Sequence, residues 1–275
     1  MRLSDTGPGQ IRPHTLGADD AAEETQRHIP RSGIGMHLYT MRRSLGVDTP
    51  GTYQALSDIG YTTVGVSGRH GHSARELRSI ADDVGLEIVL EHVGYDRLHN
   101  DWDGALEDVR GLGAQWVVIP SLPGALHSPD GYRQVADEFN SAGALARQAG
   151  LTLLFHNHGH DFDTVDGEIL YDILLAETDP ELVGFLLDLY WCVDGGYDPA
   201  DYFAHHPGRF PSLHVKDMSP SGDFADVGSG VLDFLSMFDL ARPAGVKQWL
   251  VEHDNPSDEM VTAQNSYDYL VNLRY

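Results

Sequence analysis

Cysteine is almost absent from this chain, which carries only Cys192 among its 275 residues. A single cysteine excludes a disulfide within the chain and fits the reducing cytoplasm, where we expect this protein to work. No stretch approaches the roughly 18 unbroken apolar residues of a membrane-spanning helix, so we expect no membrane partner. Residues 1–30 lack the apolar segment of a secretory signal, and we expect them to form an irregular N-terminal arm.

Basic residues are also scarce, because Lys and Arg total 18 against 42 Asp and Glu, for a formal net charge of -24. Only Lys216 and Lys247 are lysines. Nucleic-acid phosphates are bound by basic surfaces, so the composition argues against a nucleic-acid partner. The acidity fits an ordinary solvated surface or a high-salt cytoplasm. The preference for arginine over lysine can also come from a GC-rich genome without any physical cause.

Short apolar runs alternate with helical patterns from residue 33 onward. The predicted strands are 33–39, 61–66, 86–91, 116–119, 151–156, 182–187, 210–215 and 248–252. The predicted helices are 48–59, 73–85, 101–112, 130–148, 167–176, 199–205, 231–240 and 257–273. Alternating strands and helices predict a parallel sheet, and eight such units predict a single α/β domain at 31–275, a (β/α)₈ TIM barrel. A doubly wound sheet is disfavoured, since no Gly-x-Gly-x-x-Gly motif follows the first strand.

The most informative stretch is Leu151 to His160, where an apolar strand run ends in His156, Asn157 and His158. Barrel enzymes build their sites at the C-terminal ends of the strands. Other predicted strand ends carry His37, Glu91, His92, Asp188, His214, Lys216, Asp217, Glu252, His253 and Asp254. One such histidine is more often a hydrogen-bonded core residue, and one such carboxylate more often caps a helix. Four consecutive strands with such residues predict a metal centre, because a cation offsets the cost of burying them together.

The predicted ligand set contains the carboxylates of Asp188 and Glu252, the imidazole of His214, and a histidine of the fifth strand, His156 or His158. Mixed nitrogen and oxygen ligands suit Mn²⁺, and also Co²⁺, Zn²⁺ or Mg²⁺. A metal that binds a carbonyl and its adjacent hydroxyl acidifies the carbon between them. A nearby carboxylate or imidazole can then move a proton through an enediolate.

Several motifs at these strand ends carry a family resemblance. They are Phe155–His158, Leu186–Trp191, Gly195–Pro199, Leu213–Asp217, the Gly228–Gly230 turn and Val251–Asp254. Together they resemble the xylose isomerase-like TIM barrel superfamily, in the group of sugar phosphate isomerases/epimerases, over about residues 33–273. The resemblance implies a divalent metal, often Mn²⁺, held by an acidic residue after strand five and by the equivalents of Asp188, His214 and Glu252.

The chain departs from this family pattern at the first ligand position, where relatives with epimerase chemistry usually carry Glu and this chain has His156. In those relatives two Glu residues act as acid and base on the two faces of the substrate. Here Glu252 alone remains, and His156 or His158 would take the second role, since imidazole titrates near neutral pH. Where many relatives have a further histidine, Trp191 is expected to form an apolar wall against a sugar ring.

The leading hypothesis is a divalent-metal-dependent isomerase or epimerase of a sugar, keto-sugar or polyol derivative. A lyase on the same barrel is the alternative, by dehydration or by elimination from a 3-keto-glycoside or C-glycoside. A non-catalytic sugar-binding barrel is a further alternative. The expected catalytic residues are Glu252, His156 and His158, and the metal ligands His156, Asp188, His214 and Glu252. The expected substrate-binding residues are His37, Glu91, His92, Trp191 and Lys216.

Three further questions stay open at the level of sequence. The Gly228–Gly230 turn is either a phosphate-binding loop or a plain turn before a helix, and we expect a substrate without phosphate. Lys216 either orients a substrate oxygen or forms an ion pair at the barrel rim. Barrels of this type often pair through their faces, so a homo-oligomer is compatible with the sequence.

Overall fold

The structure is a computed structural model that describes residues 27–275. Its strands are β1 Ile34–His37, β2 Thr63–Val66, β3 Glu87–His92, β4 Trp116–Ile119, β5 Thr152–His156, β6 Thr164–Val165, β7 Glu168–Ile169, β8 Val183–Asp188, β9 Ser212–Val215, β10 Asp217–Met218, β11 Phe224–Ala225 and β12 Gln248–Val251. Its α-helices are α1 Arg42–Val47, α2 Thr49–Ile59, α3 Ala74–Val84, α4 Tyr95–Asn100, α5 Trp102–Leu112, α6 Pro129–Gln148, α7 Leu170–Glu177, α8 Leu189–Asp194, α9 Pro199–His205, α10 Phe234–Ala241 and α11 Glu259–Asn272. Short 3₁₀ helices lie at Arg31–Gly33, Gly124–Leu126 and Gly159–Phe162.

Eight of these strands form a closed barrel in the order β1-β12-β9-β8-β5-β4-β3-β2. Every neighbouring pair in the barrel is parallel. The predicted (β/α)₈ barrel is therefore confirmed. Two short antiparallel pairs, β6 with β7 and β10 with β11, lie outside the barrel and had no counterpart in the sequence prediction.

Helix ends follow the local sequence, with some differences from prediction. The Ser73–Glu76 capping box at the start of α3 is present, as predicted. The closing helix α11 is capped by Asp258 and not by Ser257, since the Asp258 carboxylate accepts from the amides of Met260 and Val261. The acidic side chain accepts two amide hydrogen bonds, which fixes the start of the helix one residue later.

Two predicted helices begin three residues too early. The helix predicted at 167–176 starts at Leu170, because Asp166 and Gly167 have positive φ angles of 52° and 87° and turn the chain between β6 and β7. The helix predicted at 231–240 starts at Phe234, where the Asp233 side chain accepts from the amide of Ser236. The first error arises from the tight turn before the helix, and the second from the position of the Asp233 cap.

Arg27, the first residue that the structure describes, is hydrogen-bonded to Tyr275. The backbone N–H of Arg27 donates to the carbonyl of Tyr275 at 2.7 Å, and the N–H of Tyr275 donates back to Arg27 at 3.0 Å. Of the arm predicted at 1–30, residues 1–26 lie outside the described residues. Residues 27–30 lead directly into the 3₁₀ turn before β1.

Candidate metal centre and active site

The candidate site rests on an apolar layer inside the barrel. This inner layer consists of Val89, Leu90, Trp116, Val118, Leu154, Leu186 and Leu250. Side chains on a strand alternate between its two faces, so the residue two places further along points the same way. Two places beyond Leu90, Leu154, Leu186 and Leu250 stand His92, His156, Asp188 and Glu252. The strand geometry thus places an ionisable layer directly above the apolar one, at the C-terminal face.

The four predicted metal ligands converge in this layer. His156, Asp188, His214 and Glu252 are all buried, and one potential ligand atom from each lies within 4.8 Å of the others. Asp188 and His214 are direct partners in the register of β8 and β9. His214 Nδ1 lies 2.7 Å from Glu252 Oε2 and 3.7 Å from Asp188 Oδ2.

Polar atoms in this cluster lack hydrogen-bond partners. Among the described residues, no hydrogen bond or ion pair satisfies His156 Nδ1 or His214 Nε2. Buried polar atoms are normally satisfied. Two imidazoles that each have a free ring nitrogen, together with two carboxylates beside them, form a suitable ligand set for one divalent cation. The residues therefore fit a metal centre.

The charge states of His156 and Glu252 also suit a metal centre. Burial, and then the nearby His214, lowers the pKa of His156 well below its ordinary value, which keeps a ring nitrogen free to bind a cation. Burial opposes the ionisation of Glu252, but His214, Lys216 and His37 outweigh it and hold the pKa of that carboxyl well below its ordinary value. Glu252 is consequently an anion at neutral pH.

Lys216 is buried inside the barrel and is not a rim residue. Its Nζ lies 3.0 Å from Asp188 Oδ2, 3.2 Å from Glu252 Oε2 and 2.8 Å from Asp254 Oδ1. Burial opposes its charge, but the three carboxylates raise the pKa of Lys216 above its ordinary value. Lys216 thus forms ion pairs inside the barrel, with Asp254 as a partner outside the predicted site, and its contact with a substrate oxygen stays a prediction.

Both predicted substrate-binding histidines, His37 and His92, lie in the same buried layer as the four candidate ligands. His37 Nδ1 is 3.0 Å from Glu252 Oε1, and the rings of His37 and His92 are 4.2 Å apart. Burial and the neighbouring His214 lower the pKa of His37 to about 4, so its ring is neutral at pH 7. The Nε2 atoms of His37 and His92 are buried and have no hydrogen-bond partner among the described residues.

His158 and Trp191 lie together nearer the barrel mouth. Their rings are 5.6 Å apart, and the Trp191 ring also lies 5.7 Å from that of Phe224. His158 Nδ1 and Trp191 Nε1 are buried and have no hydrogen-bond partner in the described part of the chain. The arrangement is an aromatic wall with two free polar atoms, which suits the apolar face and the hydroxyls of a sugar-like ring.

Asn157 has a structural role that the sequence did not reveal. Its Oδ1 accepts from the backbone N–H of Asp188 at 2.9 Å, and its Nδ2 donates to the Asp188 carbonyl at 3.3 Å. The Asp188 carboxylate also accepts from the N–H of Trp191 at the start of α8. These bonds join the ends of β5 and β8 and fix the backbone of one candidate ligand.

Glu91 does not join the buried cluster. Strand alternation places it on the opposite face of β3 from His92. There Arg69 donates to both of its carboxylate oxygens, at 2.6 and 2.9 Å, and contacts Asp108 at 3.0 Å as well. Arg69 was not in the predicted site. Its pairing with Glu91 satisfies both oxygens of the carboxylate that we expected to bind substrate.

The Gly228–Gly230 turn has no free amides for a phosphate at its two glycines. The carboxylate of Asp217 accepts from the backbone N–H groups of Gly228 and Gly230 at 2.9 Å each, and from that of Leu232 at 3.2 Å. A side chain of the protein thus stands where a bound anion would lie. The turn is held as a structural element before α10.

A search of residues 27–275 for membrane spans found no helix that combines the required length with sufficient apolar character.

The family model described as xylose isomerase-like TIM barrel matches residues 53–270, and the chain belongs to this family. An inosose dehydratase from Geobacillus kaustophilus is 21% identical in an alignment that covers 80% of this chain and 81% of that protein. The rhizopine catabolism protein MocC of Rhizobium meliloti is 28% identical in an alignment that covers 75% of each chain. The crystal structure of a sugar phosphate isomerase/epimerase from Parabacteroides distasonis matches with a TM-score of 0.77 at 25% identity, over 92% of this chain and 97% of that one. The family resemblance predicted from the motifs is confirmed.

Proposed function

We propose that this protein is a divalent-metal-dependent lyase that removes water from a cyclic keto-polyol or keto-sugar. The observation that carries the proposal is the arrangement of carboxylates around the candidate centre. Asp188 is fully buried and is engaged with Lys216 and with the amide of Trp191. Glu252 Oε2 also contacts Lys216, but Oε1 faces His37, and we assign the base to this carboxylate. His156 occupies the position of the second carboxylate. A single carboxylate base with an imidazole partner suits elimination better than proton exchange between two carboxylates.

His156, Asp188, His214 and Glu252 would hold the metal, for which Mn²⁺ is our first choice and Co²⁺, Zn²⁺ or Mg²⁺ are alternatives. When bound, a divalent ion polarises a carbonyl and acidifies the neighbouring C–H bond. Glu252 is the base that removes this proton, and its orientation is fixed by the contact of Oε1 with His37.

His158 is the proposed acid of the elimination. Its ring lies 4.8 Å from that of His156 and its Nδ1 has no partner among the described residues. Burial lowers the pKa of His158 below its ordinary value, so its imidazolium is a minor but stronger acid at neutral pH. That protonated form would donate its proton to the departing hydroxyl while the C–O bond breaks, so that water leaves and an unsaturated ketone remains. Trp191 would pack against the ring of the substrate, and His37 and His92 would bind its oxygens.

The comparisons support the same reaction class. Several curated relatives are named inosose dehydratase, and inosose is a cyclic polyhydroxy ketone without phosphate. The engagement of the Gly228 and Gly230 amides by Asp217 also favours a substrate without phosphate. The similarity to a sugar phosphate isomerase/epimerase keeps epimerisation as the second candidate.

Mass spectrometry of the products formed in D₂O distinguishes the two reactions. The protein is incubated with Mn²⁺ and a panel of cyclic keto-polyols and keto-sugars. A lyase gives a product that has lost one water, whereas an epimerase gives an isomer of unchanged formula that carries deuterium. We expect water loss, at a rate that falls by about 10³-fold in Glu252→Gln.

The matched control is Glu87→Gln, an exposed residue at the opposite end of the barrel. This variant should retain the rate of the unmodified protein. A deuterated isomer without water loss would replace the lyase assignment by the epimerase. Binding of the ketone without any turnover or metal would favour the sugar-binding barrel.

A further inference from the structure

A second cluster of metal-binding side chains lies at the barrel mouth, apart from the four ligands of the candidate centre. His127 lies in the loop between β4 and α6, and His160 and Asp161 lie in the 3₁₀ turn after β5. One potential ligand atom from each of the three residues lies within 4.8 Å of the other two. The two imidazole rings are 4.4 Å apart. The cluster thus brings together two loops that follow neighbouring strands.

Asp161 is a buried carboxylate that has no Lys or Arg partner in the described part of the chain. One of its oxygens accepts from the hydroxyl of Tyr132, and the other accepts from the backbone N–H of His158 at 2.6 Å. Within residues 27–275 its one ion-pair contact is His160 Nε2, at 4.0 Å. Burying a charge without a counter-charge is costly, and a cation held beside His127 and His160 would offset that cost.

The two histidines complete the features of a ligand site. His127 Nε2 is buried and has no hydrogen-bond partner among residues 27–275. The side chain of His160 is 43% exposed, so ions can reach the cluster from solvent. The His127 Nε2 atom is therefore free to bind a cation, and the His160 imidazole lies on the solvent-exposed side of the cluster.

We propose that His127, His160 and Asp161 form a second divalent-metal site and that its cation is Zn²⁺. Two imidazoles and one carboxylate, with a remaining position open to water, are a common zinc ligand set. Imidazole nitrogens select zinc over Mg²⁺ and Ca²⁺, which prefer oxygen. The ion links the loops after β4 and β5 beside His158, whose ring stacks on that of His160 at 5.7 Å. The site does not depend on the proposed dehydration.

Zinc stoichiometry tests this site directly. The full chain is stripped of metal with a chelator, dialysed and titrated with ZnCl₂ in a calorimeter. The unmodified protein should bind one equivalent more than the His127→Ala/His160→Ala variant. The matched control is His205→Ala/His206→Ala, which removes two histidines at the end of α9 and should keep the stoichiometry of the unmodified protein. Equal stoichiometry in all three proteins would overturn the proposal.

The single variant His160→Ala provides a test that does not endanger the fold, because its side chain is partly exposed. The affinity of one zinc equivalent should fall by about 100-fold or more, since even outer partners of a metal site contribute 10- to 100-fold. Visible absorption of the Co²⁺-loaded protein supplies a second measurement. Part of that absorption should disappear in His160→Ala and persist in the control variant His205→Ala/His206→Ala. If His160→Ala changes neither the spectrum nor the zinc affinity, the proposed site is contradicted. If only the candidate centre lost its metal, the zinc equivalent bound by His127, His160 and Asp161 would remain.

Discussion

At the scale of single residues, Lys216 is the most informative group in the barrel. It is one of two lysines in the chain, and it is buried among the carboxylates of Asp188, Glu252 and Asp254. Without a metal, its ammonium group supplies positive charge that these anions need. It also repels a metal ion placed beside the same oxygens. Lys216 thus affects both the stability of the fold and the affinity of the centre.

We expect Lys216→Met to lower the free energy of unfolding by about 3 to 5 kcal/mol in the presence of a chelator, because two buried carboxylates lose their partner. Added Mn²⁺ should stabilise the variant more than the unmodified protein, since the competing cation is gone. Urea denaturation with and without Mn²⁺ measures both effects. The control is Lys247→Met, an exposed position, which should change stability by no more than about 0.5 kcal/mol.

Equal stability of Lys216→Met and the unmodified protein in chelator would show that the buried ammonium does not balance these carboxylates.

The convergence of the candidate ligands was predictable from sequence because they stand at the ends of apolar strand runs. His156, Asp188 and Glu252 stand at the C-terminal ends of such runs, where a parallel barrel brings them to one face. The partners of Lys216 and Glu91 were not predictable in the same way. Asp254 and Arg69 lie in loops, and their contacts depend on loop conformations that leave no periodic pattern in the sequence.

At the scale of elements, the segment between β9 and α10 depends on one side chain. The carboxylate of Asp217 accepts from three backbone N–H groups of the loop at 228–232. Gly228 has a φ of 87°, and a Cβ at that position would lie 2.2 Å from the Tyr269 ring. A carboxylate and a glycine together therefore hold the turn.

We expect Asp217→Ala to cost about 3 kcal/mol of folding free energy, because partly buried amide donors lose their acceptor. Thermal or urea unfolding measures the change. Asp223→Ala removes an exposed carboxylate of the preceding loop and should have an effect below about 0.5 kcal/mol. A loss of similar size in both variants would mean that Asp217 does not hold the turn through these amides.

Most long elements were predictable because capping residues and period-two or helical patterns mark them. The short elements were not. The pairs β6–β7 and β10–β11 contain two residues per strand, too few to show alternation. The helix α8 follows β8 without a loop, so Asp188 is both the last strand residue and the helix cap. Such double roles appear only once the chain is folded.

At the scale of the whole molecule, the net charge of -24 is the dominant property. Like charges spread over one surface repel and oppose the compact state. Because salt shortens the Debye length from about 30 Å at 0.01 M to about 3 Å at 1 M, it weakens this repulsion.

We therefore expect Tm to rise steadily with NaCl over this range, measured by calorimetry at constant pH. An uncharged osmolyte at equal osmolality is the control and should reproduce only part of the rise. A Tm that falls with salt would show that attractive ion pairs, such as Arg133 with Glu168 and Glu177, outweigh the repulsion.

The barrel and its family were predictable from sequence, since eight alternating units allow few arrangements. The reaction was not predictable to the same degree. An imidazole at His156, in place of the carboxylate that the family resemblance implies, changes which groups can move protons. The sequence alone favours epimerisation, whereas the relatives named as dehydratases favour the lyase alternative.

The most direct test of our central claim is the dehydration rate of a cyclic keto-polyol measured before metal removal, after chelation and after return of Mn²⁺. We expect the rate to fall to background in the chelated protein and to recover with the metal, while Asp188→Asn recovers little or none. A chelated, metal-free protein that dehydrates the substrate at the original rate would contradict the role we propose for His156, Asp188, His214 and Glu252.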